Sequence, residues 1–203
     1  MDKSSDILTA AISVFAEKGD NATISEIAKR AQVTESAIYK RYKSKTELLI
    51  LIFQRFWEKL LNFAKGVRGE EWAENTADKI KKIITLMNDF LYQDPNLVKV
   101  VAGVSLIPPE NINDNEVKNK RLEVRRINRE FLITMDEIIR EGQEKEQITD
   151  KFKAQVIRQA LIGIFQQLSY GTFIGKARGE DVGYTALDAM EIFNYFLESI
   201  EKK

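Results

Sequence analysis

The chain has 203 residues, enough for one sizeable core or a small head with a larger body, and its 31 basic and 31 acidic residues leave no net charge. It contains neither cysteine nor histidine, which removes zinc-finger ligands, thiol or imidazole nucleophiles, a Ser-His-Asp triad and disulfide staples. A carboxylate-only magnesium site would lack the Gly-rich phosphate loop that accompanies one, so no enzyme, metal or cofactor is expected. The opening residues MDKSSDIL lack the apolar core of a signal peptide, and the expected location is the cytoplasm.

The first helix is marked by Ile7, Leu8, Ala11, Ile12, Val14 and Phe15 on one face, with Gly19 available as its end. Thr23 then precedes an apolar-periodic run, and Glu26 follows three residues later, the spacing of a capping box. Thr34 marks another start, since its side chain can accept from the backbone N–H groups that follow. Ser44-Lys45-Thr46-Glu47 repeats the box ahead of Leu48, Leu49, Ile52, Phe53 and Phe56. The two segments between Thr23 and Ser44 are too short to be stable alone, and Ile27, Ala31, Val33 and Ile38 supply the contacts that lock them, with small Ala28 allowing a close crossing. From Lys29 to Lys45 there are six cations, Lys29, Arg30, Lys40, Arg41, Lys43 and Lys45, against the single anion Glu35. In a chain without net charge this is a local concentration that attracts phosphate, and general adhesion to nucleic acid is not expected. Three short capped helices with cations around the second and third have the layout of a helix-turn-helix DNA reader.

The residues Thr23, Ile27-Ala28, Ala31-Gln32-Val33-Thr34, Ile38-Tyr39-Lys40-Arg41-Tyr42 and Ser44-Lys45-Thr46-Glu47-Leu48 together resemble the signature of the tetracycline-repressor (TetR) family of bacterial and archaeal regulators. Gln32 stands where that family usually has Gly, a modest steric cost if the turn requires positive φ. Ser36 also replaces a frequent Gly. Glu35, acidic at the head of the recognition helix, either accepts from a cytosine N4 amine or complements the helix N-terminus. The resemblance implies that Tyr39, Lys40 and Lys45 contact the DNA backbone, Lys45 with help from the adjacent helix N-terminus. It also implies that Thr34, Glu35, Ser36 and Ala37 reach base edges in the major groove. Arg41 suits either role, Thr23 completes the DNA-binding candidates, and Tyr42 is read as core.

Beyond this head, taken as residues 1–47, the body from 48 to 203 is expected to be helical throughout. Prolines occur only at Pro95, Pro108 and Pro109, and no long run alternates as a strand would. A helix from Lys45 to about Ala64 is long enough, at about 1.5 Å per residue, to act as a lever between head and body. Gly66 to Asn75 reads as a connection. Ile80, Ile83, Ile84, Met87, Phe90 and Leu91 form a stripe ended near Asp94-Pro95, and Leu97 to Ile107 is a shorter apolar helix closed by Pro108-Pro109. PPENINDN is a surface loop. A long helix from about Asn115 to Gly142 carries Val124, Ile127, Phe131, Leu132, Met135, Ile138 and Ile139 on one side and charge on the other. Gly142 to Asp150 is a turn. The 17 residues Gln159 to Gly175 carry no charge, short of a membrane span and interrupted by Gln159, Gln166 and Gln167. The stripe Val156, Ile157, Ala160, Leu161, Ile164, Phe165 and Leu168 is wider than one contact needs, and Gly163, Gly171 and Gly175 admit a close neighbour. The last helix, Tyr184 to Ile200, is apolar nearly all round through Leu187, Met190, Ile192, Phe193, Tyr195, Phe196 and Leu197. A monomer would leave part of these surfaces exposed.

The expected fold is therefore all-α with about nine helices, a three-helix DNA-binding head and a ligand-binding and dimerisation body. Gly163, Gly171, Tyr184, Leu187 and Phe193 are the candidate interface of a homodimer whose two heads read a palindromic operator, spaced by roughly one helical turn, on the order of 34 Å, or more. The family resemblance implies a small molecule held among the body helices. Phe90, Val101, Phe131, Met135, Phe165 and Tyr170 are candidate lining residues, with Arg158 or Gln166 as polar anchors. Asp94-Pro95-Asn96-Leu97, an apolar helix and then a long helix are similar to members that sense fatty acyl-coenzyme A thioesters, which would bring Arg158 to nucleotide phosphates. Members that sense hydrophobic drugs have an equally apolar body. The function expected is a ligand-responsive regulator, in most members a repressor, bound to double-stranded operator DNA and to no membrane. A constitutive DNA-binding protein without an effector and a helical protein-binding scaffold are the alternatives.

Overall fold

Amphipathic periodicity becomes helix almost everywhere in the computed structural model of the chain, which describes residues 3–69, 75–103, 109–172, 175 and 179–202, apart from the side chains of Leu91, Ala102, Gly103, Pro109, Ser169, Tyr170 and Ala186. Among the described residues there are nine α-helices: α1 (Lys3–Lys18), α2 (Ile24–Arg30), α3 (Glu35–Tyr39), α4 (Lys45–Arg68), α5 (Thr76–Gln93), α6 (Pro95–Gly103), α7 (Asn115–Glu144), α8 (Ala154–Phe165) and α9 (Ala186–Ile200). Extended pairing among those residues is limited to an isolated bridge between Ile148 and Glu201. No helix among them is long and apolar enough to cross a membrane.

The chain divides into two compact units, residues 1–59 with 93–128 and residues 60–92 with 129–203, so that α4 and α7 contribute to both. In the first unit, Ile7, Leu8, Ala11, Val14 and Phe15 of α1 are buried, and α1 packs on α2 and α6. Ile24, Ile27, Ala28, Ile38, Tyr42, Leu48 and Leu49 complete the head's core. In the second unit, the buried residues are Ile80, Ile83, Ile84, Met87 and Phe90 of α5, Phe131, Met135, Ile138 and Ile139 of α7, Ile157, Leu161 and Phe165 of α8, and Phe193 and Leu197 of α9, with α8 against α9.

Several boundaries differ from the sequence expectation for local reasons. α4 runs one turn past Ala64 because its last residue, Arg68, is held by Glu137 and Glu141 of α7. The expected connection shrinks accordingly, and residues 70–74 of it lie outside the described residues, as do 104–108. Pro95 begins a helix instead of only ending one: it sits at the first position of α6, where no N–H is needed, and the Asp94 carboxylate accepts from the Leu97 N–H at 3.0 Å. Gly142 does not end α7 but lies inside it, because a Cβ there would come 2.6 Å from the Thr76 side chain at the start of α5. The helix ends two residues later, with Glu146 at φ +57 and the Gln147 N–H donating to the Gly142 carbonyl at 2.8 Å. Beyond Phe165 the ladder widens into a π-helical turn, Gln166–Tyr170. α9 starts after Tyr184, at a reciprocal box between Thr185 and Asp188.

Candidate nucleic-acid interface

The head is built from the end contacts of its short helices. The Thr23 hydroxyl accepts from the Glu26 N–H at 3.3 Å, and the Glu26 carboxylate accepts from the Thr23 N–H at 3.2 Å. Lys18 also reaches that carboxylate, and its ammonium, with Thr23 second, holds Glu26 below the usual carboxylate range. α2 then stops in a left-handed cap: the Val33 N–H donates to the Ala28 carbonyl at 3.0 Å, the Gln32 N–H to that of Lys29 at 3.3 Å, and Gln32 has φ +53. The position where glycine is usual does need positive φ. α3 is capped as expected, with Thr34 Oγ1 accepting from the Ala37 N–H at 3.2 Å, and Ser36 Oγ lies 2.9 Å from Thr34 Oγ1.

The third start corrects the sequence expectation in one respect. Ser44 Oγ accepts from the Glu47 N–H at 3.1 Å, but the Glu47 carboxylate reaches back to the Lys43 N–H and not to that of Ser44. Glu47 is buried, 1% exposed, and Lys120 of α7 supplies its counter-charge. That pairing holds Lys120 above the ordinary lysine value. A carboxylate in this position ties the turn before α4 to α7, which no spacing in the sequence announces, since its two partners are 4 and 73 residues away.

The six cations do not remain equal. Arg30 is committed to Glu17, by two hydrogen bonds of 2.5 and 2.9 Å, and to Ser13, and Glu17 raises its pKa further. Lys43 pairs with Glu116 at 2.5 Å and Asp114 at 3.4 Å. Lys45, at the first position of α4, donates to the Asp20 carbonyl at 2.7 Å and has no carboxylate partner among the described residues. Lys29, Lys40 and Arg41 are exposed and have no carboxylate partner among the described residues; Arg41 donates only to the Ala37 carbonyl, at 3.2 Å. Tyr39 projects its ring with 53% of its surface exposed, whereas Tyr42 is buried, as its core reading requires. Thr34, Glu35 and Ser36 are exposed at the start of α3, with Ala37 half-buried behind them, and Thr23 is exposed at the start of α2. Among the described residues, the chemistry available is therefore the Tyr39 phenolic hydroxyl, the cations Lys29, Lys40 and Arg41 together with the charge of Lys45, and the short row Thr34, Glu35, Ser36 and Ala37, one of them a carboxylate.

The body candidates separate. Phe90, Phe131, Met135 and Phe165 are buried in the second unit; Val101 is half-buried in the first; Gln166 is exposed; and the side chain of Tyr170 lies outside the described residues. Arg158 donates from Nε to Asp136 at 2.7 Å, the two side chains being 13% and 10% exposed. Its charge is thus already balanced inside the second unit, which removes it as an uncommitted phosphate anchor. Among the interface candidates, Leu187 is 77% exposed, and Val156, Ile192 and Tyr195 are apolar and exposed beside it in sequence or on the neighbouring helix. Gly163 leaves open space beside it, but Gly171 and Tyr184 meet each other within the chain: a Cβ on Gly171 would lie 2.5 Å from the Tyr184 hydroxyl, which donates to the Gln167 and Leu168 carbonyls of the π-helical turn. Phe193 has no surface to offer a second chain, because it is buried in its own core, which corrects its assignment to the interface.

Residues 7–52 match the family model for bacterial regulatory proteins of the tetR family, and residues 56–175 match the model for the C-terminal region of YsiA-like proteins. The fatty acid metabolism regulator protein of Bacillus subtilis (strain 168) is 28% identical over 167 residues, 79% of this chain and 78% of that protein. The transcriptional regulator FadR of Bacillus subtilis, solved in complex with stearoyl-CoA, superposes with a TM-score of 0.71 at 22% identity over 96% of each chain. The fatty acid degradation regulator FadR of Bacillus halodurans gives a TM-score of 0.74 at 25% identity, covering 97% of this chain and 95% of that one.

Proposed function

Since the chain belongs to the TetR family of bacterial regulatory proteins and is a transcriptional regulator rather than an enzyme, we propose that it acts in the cytoplasm as a homodimeric repressor, bound to a palindromic operator and released by a long-chain acyl-CoA. The observation that carries the DNA-binding part is the exposed Tyr39 standing with uncommitted Lys29, Lys40 and Arg41 on a head whose three helix starts are individually capped. In this reading Tyr39, Lys40 and Lys45 hold phosphates, Thr34, Glu35, Ser36 and Ala37 face base edges, Arg41 serves either purpose, and Thr23 sets the α2 start. Residues 1–47 form the reader and 48–203 the sensing and dimerising part.

The acyl-CoA class is supported by two relatives taken together: a Bacillus subtilis protein named a fatty acid metabolism regulator, which resembles this chain along most of both lengths, and Bacillus subtilis FadR, solved with stearoyl-CoA. The acyl chain is assigned to Phe90, Phe131, Met135 and Phe165, whose apolar side chains are buried in the second unit. The dimer is assigned to the outward faces of α8 and α9, where Val156, Gly163, Leu187, Ile192 and Tyr195 lie.

The test of the reader uses a duplex that the full-length protein itself selects from a random-sequence pool. Lys40→Gln is expected to weaken binding to all duplexes alike and to reduce the slope of log affinity against log salt by about one. Tyr39→Phe is expected to weaken binding without changing that slope. Unaltered affinity in both variants would remove the head from the DNA interface.

A further inference from the structure

Lys43 lies in the turn between α3 and α4, three residues after Lys40 and two before Lys45, yet α7 already occupies it. Its ammonium meets Glu116 at 2.5 Å and Asp114 at 3.4 Å, while its backbone N–H donates to the buried Glu47 carboxylate. Lys120 closes the circuit by pairing with both Glu47 and Glu116, the latter at 3.3 Å. All five residues belong to the first unit. Two carboxylate oxygens around one ammonium give it anionic acceptors of the kind that a DNA phosphate would also offer.

We propose that Asp114 and Glu116 set the DNA affinity of the head by holding Lys43 as a phosphate would, so that the DNA backbone gains this contact only by displacing them. The inference rests on the head's DNA-binding role. The pairing is strong enough to keep Lys43 above the ordinary lysine value, chiefly through Glu116, and Glu116 below the ordinary carboxylate value, chiefly through Lys43. It is also solvent-exposed on both sides, with Lys43 48% and Glu116 57% exposed, so a phosphate can exchange for the carboxylates without opening a core. Glu47 and Lys120 are positioning residues in this scheme: they hold the backbone of Lys43 and the side chain of Glu116 at a set distance.

Asp114→Asn/Glu116→Gln removes the competing charge while leaving the α7 cap, because the Asp114 carboxylate accepts from the Glu116 and Val117 N–H groups and an Asn side chain does the same. Measured on the selected duplex with full-length protein, this variant is expected to bind about two- to fivefold tighter at low salt and to show a salt slope steeper by about one phosphate contact. Adding Lys43→Gln is expected to return the slope to that of the wild type. An unchanged slope in the double variant overturns the proposal, and so does a steeper slope that persists without Lys43, which would report only general repulsion between DNA and the removed carboxylates. The single variant Glu116→Gln, which leaves the cap untouched, gives the same two readouts should the double variant melt early. A wild-type protein that selects no duplex at all would instead overturn the DNA-binding role.

Discussion

Gln32 shows how a single residue departs from its family's preference without changing the fold. Its φ of +53 puts an ordinary side chain in the left-handed region, where sterics cost roughly 1–2 kcal/mol for residues other than glycine. The cap hydrogen bonds of Val33 and Gln32 are nevertheless made, and the side chain is exposed. Gln32→Gly is therefore expected to stabilise the protein by about 0.5–1 kcal/mol, glycine's greater freedom in the unfolded chain offsetting part of the relief. Thermal unfolding followed by circular dichroism checks this, and a lowered midpoint would mean that the Gln32 side chain contributes something its exposure does not suggest. The family's usual glycine raised positive φ as a condition at this position, and the structure meets it. The fate of the cations was not legible: Lys29 and Arg30 are adjacent in sequence, and only the fold shows that Arg30 faces Glu17 while Lys29 has no carboxylate partner among the described residues.

Elements held together by charge are the second level at which stability is decided. Asp136 of α7 and Arg158 of α8 form a nearly buried pair at 2.7 Å, and removing one partner leaves the other charge uncompensated. Arg158→Met is expected to cost about 3–5 kcal/mol, and Asp136→Leu/Arg158→Met to recover much of that loss. Urea unfolding of the three proteins measures both; additive losses would show that the two groups do not stabilise each other. The helices themselves were readable, because apolar residues at spacings of three and four mark the buried faces of α5 and α7, and Thr23, Thr34 and Ser44 mark helix starts. What the sequence did not reveal were contacts that depend on which elements meet. Gly142 looks like a helix end until Thr76 is seen against it, Glu47 looks like half of a capping box until Lys120 reaches it, and nothing in Gln166–Tyr170 distinguishes a π-helical turn from continued α-helix.

For the whole molecule, the decisive surface is the apolar one left exposed among the described residues. Leu187, Ile192 and Tyr195 project from α9 while Phe193 of the same helix is buried, so the helix has one face for its own core and an apolar exposed face that the proposed dimer would use. Leu187→Glu/Tyr195→Glu is expected to yield a folded monomer in sedimentation experiments and to lower operator affinity more than about tenfold, because a single head makes half of the contacts of a two-fold dimer. An unchanged dimer would place the interface elsewhere. In the proposed function an effector binds the free protein better than the DNA-bound one, and reciprocity then requires DNA to weaken effector binding. The most direct measurement of this coupling is anisotropy of the selected duplex, held in complex with the full-length protein, while stearoyl-CoA, free CoA or stearate is added. The expected result is release by stearoyl-CoA alone; a complex that persists through saturating stearoyl-CoA would contradict an acyl-CoA-responsive repressor and leave a regulator with another effector or with none.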